Sequence, residues 1–305
     1  MTSTTRPQPA TRPGTSWRIN GVKVGKRTKA VLILVTIVGV IAFGWPLIAD
    51  PNSMAVAHSQ DAPWLFAVML PFILAVVLAQ VADGGLDAKG IAMLGVLAAV
   101  GTALRPLGTG IAGFEPVFIV LALGGRALGS GFGFALGTIT MFSSAALTGG
   151  VGPWLPFQML AAGWYGFGAG ALPARVRGRA EILMVASYSA VAALLYGLLL
   201  NLSFWPWAVG AGSQISYLPG AAVSENLHRW IMFDITTSLG FDVPRAIITF
   251  VLIMVLGRPV LYALRRATRR AAFGAVGEFR SAPAQASLIP TQQTSPNLSL
   301  IERHQ

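Results

Sequence analysis

Leu104-Arg105-Pro106, Gly108-Thr109-Gly110, Phe114-Glu115-Pro116, Gly124-Gly125-Arg126, the run Gly149-Gly150-Val151-Gly152-Pro153-Trp154-Leu155-Pro156-Phe157-Gln158 and the run Gly163-Trp164-Tyr165-Gly166-Phe167-Gly168-Ala169-Gly170 follow one another within residues 104–172. The stretch is rich in glycine and aromatic rings and poor in charge. Small residues let helix backbones approach closely, and aromatic rings with a few polar groups line small-molecule sites. Such a composition suits close-packed membrane helices around a pocket, not a soluble catalytic cleft.

The rest of the chain agrees. Of its 305 residues, 54% are hydrophobic and only 11% charged, less than half of the roughly one quarter usual in soluble proteins. The mean hydropathy is +0.65. Alternating strand-like segments of about ten residues are absent from the sequence, which argues against a β-barrel. The formal charge of +11 does not point to nucleic acid, because the basic residues stand beside apolar runs and act as topology signals. With no cysteine, a disulfide framework, thiolate metal sites and a cysteine nucleophile are excluded.

The apolar runs predict an all-α membrane protein of about eight transmembrane helices. Residues 1–29 read as a disordered, basic cytoplasmic tail. Residues 30–87 hold two extra N-terminal spans, at 30–49 and 64–82, separated by a polar loop at 50–63. Residues 88–270 form a six-helix membrane core. Its spans are expected at 89–104, 115–123 with a hinge at Gly124-Gly125, 128–147, 157–172, 180–202 and 243–264. Residues 230–240 read either as an interfacial helix or as the start of the last span, and 271–305 as a disordered tail. With eight spans, the N-terminal tail, Arg126, the cluster Arg175–Arg179 and the cluster Arg258–Arg270 share one side, which the positive-inside rule makes cytoplasmic. The loops 50–63, 105–113, 149–156 and 203–229 then face outward, and both termini are cytoplasmic.

Two stripes of small residues stand out. Ala88, Ala92, Gly95, Ala99 and Ala103 lie on one side of a helix. They serve either tight packing within the chain or docking of another membrane subunit. Gly129, Gly133 and Gly137, four apart, form a second close-packing stripe.

Catalytic patterns are missing. Lys26-Arg27 in residues 21–28 fails a phosphate-binding loop, which needs Ser or Thr after the lysine. Gly108, Gly110 and Gly113 match a dinucleotide fingerprint only formally, since no βαβ unit surrounds them. His58, His228 and His304 have no metal-ligand spacing. No Ser/His pair, paired intramembrane carboxylates or row of pore carboxylates is present in the spans. The chain reads as a non-enzyme with no covalently bound cofactor. Asp234 and Asp242 are expected to be solvated or to cap helix ends.

The candidates for a binding site are charged or amphipathic residues near the outward loops. Arg105 and Glu115 flank one loop, and intramembrane ionisable groups are functional candidates because burying them unpaired is costly. Arg245 is a weaker candidate of the same kind. Gly150, Trp154, Gln158 and Trp164 attend the outer end of the sixth span, and Tyr217 sits in the longest loop.

Residues 89–270 resemble the substrate-binding S components of energy-coupling factor (ECF) vitamin transporters, in their actinobacterial form. The resemblance is carried by Ala103-Leu104-Arg105-Pro106, by Gly149 through Met159, by Tyr217-Leu218-Pro219-Gly220, by Thr237-Ser238-Leu239-Gly240-Phe241-Asp242 and by Gly257-Arg258-Pro259-Val260. It implies a six-helix core that captures a vitamin or cofactor precursor on the outer side, with cobalamin favoured and thiamine or another B vitamin second. The implied partners are a transmembrane coupling (T) subunit, two cytoplasmic ATPase subunits that alone use ATP, and the lipid bilayer, with no nucleic acid. It implies that the stripe Ala88, Ala92, Gly95, Ala99 and Ala103 docks the coupling subunit, and that uptake proceeds by toppling of the S component in the membrane. The family's small-residue motif is alanine-based, and Gly95 departs from it, as do the two extra N-terminal spans. The alternative is a stand-alone secondary transporter or channel for a small organic solute.

Overall fold

The computed structural model describes residues 25–48, 69–83, 86–108, 111–208 and 212–271. The expected polar loop 50–63, most of the two tails, and Thr109 and Gly110 lie outside the described residues. Among those described, nine α-helices follow in order: α1 Lys26–Ile48, α2 Met69–Ala82, α3 Ala88–Leu104, α4 Val117–Leu128, α5 Ser130–Thr148, α6 Leu155–Ala171, α7 Arg179–Ala208, α8 Val223–Thr237 and α9 Leu239–Ala271. A single 3₁₀ turn, Pro106–Gly108, follows α3. No strand occurs among the described residues.

Five of these segments, α1, α3 with its 3₁₀ turn, α5, α7 and α9, are long and apolar enough to cross a membrane. The helices α4 and α6 have 12 and 17 residues, short of the roughly 20 needed for a full crossing, and the described part of α2 has 14. The shortness of α4 is tolerated because it is surrounded by protein: ten of its twelve residues are buried. Lipid-facing surfaces instead carry exposed large apolar side chains, such as Ile33, Val96 and Val255.

The core is a seam between α5 and α6. A Cβ on Gly133 would strike the Gly166 carbonyl, and one on Gly166 would strike the Gly133 carbonyl. Gly137 meets the Ala162 carbonyl in the same way, and Gly170 meets the backbone of Gly129 and Ser130. The glycine stripe therefore packs backbone on backbone. Gly166→Val is expected to lower the thermal midpoint of the solubilised protein, with an overpacking cost of about 1–3 kcal/mol. Gly95→Ala, whose new methyl would meet nothing within 4 Å, is the control expected to leave the midpoint unchanged.

The same contact corrects the expected hinge at Gly124-Gly125. The α4 helix runs straight through both residues, and Gly125 is small because the Gly166 carbonyl lies against it. The chain turns at Gly129 instead, with a φ of 104° that only glycine adopts readily. The loop expected at 203–229 is also shorter. Helix α7 continues to Ala208 through Pro206, held by the fully buried Trp205, whose Nε1 donates to the Ile215 carbonyl at 2.7 Å. Residues 223–237 form a separate helix, α8, which ends at Ser238 before α9 begins.

The N-terminal pair α1 and α2 is part of the same core. Thr28 donates its backbone N–H and its hydroxyl to Asp83 Oδ2, at 2.8 and 2.7 Å; these bonds hold the Asp83 carboxyl below its ordinary pKa. Gly39 makes room for Leu160 and Trp164 of α6. Phe43 packs edge-on against Phe157, and Trp164 Nε1 donates to Thr36 Oγ1 at 3.2 Å.

The bundle has two chemically different ends. At the basic end Arg126, Glu181 and Arg265 join the ends of α4, α7 and α9. At the aromatic end Trp45, Trp205, Trp207 and Tyr217 gather.

Candidate functional site

Near the aromatic end, a polar cluster is assembled from residues of α7, α8 and α9, from the ends of α3 and α6 and from the loop before α4. Its centre is Arg245, in the second turn of α9. Its Nε donates to Glu115 Oε1 at 2.8 Å and its Nη1 to Asp242 Oδ1 at 2.6 Å. Its guanidinium lies over the Tyr196 ring, 5.7 Å from the centroid. Arg245 and Asp242 are buried, at 9% and 4% exposure. The two stand three residues apart on one helical face.

Two glycines make this geometry accessible. Gly113, with a φ of 73°, lies against the Phe241 carbonyl, the Pro244 ring and the Arg245 backbone nitrogen. That contact brings the loop before α4 onto the first turns of α9 and carries Glu115 to Arg245. Gly197 of α7 leaves the space that the Asp242 carboxylate fills; a Cβ there would collide with it. The Asp242 Oδ2 atom is buried and has no hydrogen-bond partner.

A second branch lies beside the first. Arg105, at the end of α3, donates through Nη2 to Gln158 Oε1 of α6 at 3.2 Å. The two branches meet where α3 ends: a Cβ on Gly108 would strike the Phe114 carbonyl and lie beside Glu115. Asn201, one turn further along α7, donates to Asp234 Oδ1 of α8 at 2.6 Å.

Arg105, Glu115 and Gln158 are thus gathered in one region with Arg245. Trp154 is half exposed in the α5–α6 loop, one turn before Gln158, its Nε1 donating to the Gly150 carbonyl at 3.2 Å. Tyr217 joins the aromatic layer and packs edge-on against Trp205 at 5.4 Å. Trp164 is placed elsewhere, facing α1 through Thr36 and Phe43. The expectation that Asp234 and Asp242 are solvated or capping is corrected. Both are buried, at 5% and 4% exposure, because Asn201 and Arg245 supply donors that replace water. The Asp242/Arg245 spacing of three was a usable signal for an intrahelical pair; Tyr196 and Asn201 gave none.

The basic end has its own ionic clasp. Glu181 accepts from Arg126 Nε at 2.7 Å and from Arg265 Nη2 at 2.6 Å, and Arg126 also donates to the carbonyls of Leu172, Pro173 and Val176. The clasp fastens α4, α7, α9 and the α6–α7 turn.

The stripe Ala88, Ala92, Gly95, Ala99 and Ala103 is exposed along its whole length. Helix α3 uses a different face within the chain, with Leu94, Ala98 and Gly101 buried and Thr102 Oγ1 reaching the Thr140 carbonyl at 3.5 Å. Among the described residues, no group of three His, Asp or Glu is placed to hold a metal ion.

A comparison with protein-family models matches residues 89–257 to the ECF transporter, substrate-specific component. No curated protein and no solved structure matches the chain. The matched segment is more than half of the chain, begins in α3 and ends in α9, and spans the polar cluster with the elements that build it. The chain belongs to the substrate-specific components of ECF transporters and is a multi-pass membrane component of a transporter, not a member of an enzyme family.

Proposed function

We propose that this subunit captures a vitamin-type molecule at its aromatic end and passes it inward when an ATP-driven partner module reorients it. The observation that carries the reading is the cluster of Arg245, Glu115, Asp242, Arg105 and Gln158. Charged groups are expensive in a membrane bundle, and their concentration at one end marks a ligand path. The aromatic end faces outward and the basic end faces the cytoplasm, as expected for a side carrying Arg126, Arg175, Arg177, Arg179 and Arg265. Eight helices cross the cytoplasmic membrane, α8 lies at the interface, and both termini are inside.

Arg105, Glu115, Gly150, Trp154, Gln158 and Tyr217 serve the substrate from the outer side, while Trp164, which faces α1, holds α6 in place behind them. Cobalamin is the favoured substrate: amide-bearing groups suit Gln158 and the free Asp242 oxygen, and the aromatic layer suits its large apolar faces. The partners are a transmembrane coupling subunit and two ATPase subunits, which alone consume ATP. The stripe on α3 is the docking face, since it is small, continuous and turned away from its own bundle.

The test is a pull-down of tagged, detergent-solubilised protein, with co-purifying proteins and bound small molecules identified by mass spectrometry. Recovery of a coupling subunit with ATPases and of cobalamin is expected. Gly95→Leu with Ala99→Leu is expected to cut recovery of the coupling subunit by about tenfold or more, because close helix approach needs small side chains. The thermal midpoint should hold, as both positions are exposed. A protein that runs alone and still moves solute would favour the stand-alone transporter.

A further inference from the structure

The two N-terminal helices precede residues 89–257, yet α1 reaches the aromatic end. Trp45 lies in its last turn. Its ring is 5.6 Å from that of Trp207 and 6.0 Å from that of Tyr217, and it is 5% exposed. Leu47 packs on the cluster formed by Trp205, Tyr217 and Phe233. The segment 212–222, between α7 and α8, therefore has two supports. One comes from its own flanking helices: Trp205 holds the Ile215 carbonyl, and Asn226 bonds both the N–H and the carbonyl of Leu218, at 3.0 and 2.9 Å. The other comes from α1.

The α1 support is firmly anchored elsewhere. Phe43 is buried against Phe157 and Trp164, and Thr28 is tied to Asp83. Phe157 immediately precedes Gln158, so α1 braces α6 beside the polar cluster and the α7–α8 segment at once. An element held at several points along its length resists local opening, and the segment leaning on it opens only when that contact breaks.

We propose that the N-terminal helix pair is the fixed post of the outer mouth, and that Trp45 is a positioning residue that holds segment 212–222 closed through Tyr217. This rests on the reading of the aromatic end as the entry for substrate, but the experiment needs no substrate. The chain has no cysteine, so a single thiol reports on one place. Ser216, 2% exposed, is replaced by Cys in the full chain, and labelling by a membrane-impermeant maleimide is timed in intact cells and in nanodiscs. Gln214→Cys, at an exposed position, is the unhindered control. Ser216→Cys alone is expected to label slowly. Adding Trp45→Ala is expected to speed labelling by roughly tenfold or more, as local opening becomes easier, while Trp45→Phe stays near the slow rate. Gln214→Cys should label equally fast in all backgrounds. If Trp45→Ala does not fold, Leu47→Ala at the same end takes its place. Equal rates at position 216 with and without the α1 substitution would overturn the proposal. So would a rate matching position 214 before any substitution. Loss of vitamin binding with unchanged labelling would count against the post, and faster labelling in a chain that binds no vitamin would count against the vitamin reading alone.

Discussion

Arg245→Ala is expected to reduce substrate capture by about 100-fold or more, a change of about 2.8 kcal/mol. Arg245 bonds two carboxylates and lies over a ring, through Glu115, Asp242 and Tyr196. Removing it leaves Glu115 and Asp242 without their cation, which typically costs about 3–5 kcal/mol for a buried pair. Arg245→Lys should not rescue, because an ammonium cannot reproduce the fork that reaches both carboxylates. A triple change, Arg245→Leu with Glu115→Gln and Asp242→Asn, separates the two effects. It should recover most of the thermal midpoint, since no unpaired charge remains, yet still fail to bind. Binding by equilibrium dialysis with labelled cobalamin, beside thermal unfolding, reads both. Recovery of binding in the triple variant would show that the ionic cluster only stabilises the fold.

Glu181→Leu should be the most destabilising single change at the opposite end. Glu181 is the common acceptor for Arg126 and Arg265, and its side chain is only 4% exposed. Without it two guanidinium groups share one small volume with no counter-charge, at a cost of about 3–5 kcal/mol. Arg126 keeps its three carbonyl acceptors, so α4 and the α6–α7 turn should remain joined while α9 loosens. Arg265→Gln should be milder, because its side chain is 23% exposed and water can replace part of the interaction. Thermal unfolding followed by tryptophan fluorescence orders the two variants. Equal midpoints would show that the clasp is held by the carbonyls alone.

The apolar runs and the glycine stripe were legible because each states its physics locally. A helix in lipid must be apolar, and glycines four apart mark close backbone approach. Arg105, Glu115 and Gln158 were legible as costly polar groups beside apolar runs. What escaped depends on partners distant in sequence. Gly124-Gly125 looks like a hinge until Gly166 is seen against it, 41 positions on. Asp234 and Asp242 look like helix-end charges until Asn201 and Arg245 are placed beside them. Trp205 and Pro206 look like the start of a loop, and only the Ile215 carbonyl and Tyr217 explain why the helix continues. Trp164 reads as a pocket residue by position, whereas the direction of its ring is set by α1, a contact no local pattern announces.

The twelve residues of α4 measure about 18 Å along the helix axis, at 1.5 Å per residue. Glu115 and Arg245 stand just before its first turn, and Arg126 and Glu181 stand at its last. The apolar stretch between the two ionic clusters is therefore little more than half of the roughly 30 Å of a bilayer's hydrocarbon. A solute or side chain that leaves one ionic cluster therefore has only that short apolar stretch to cross before it meets the other.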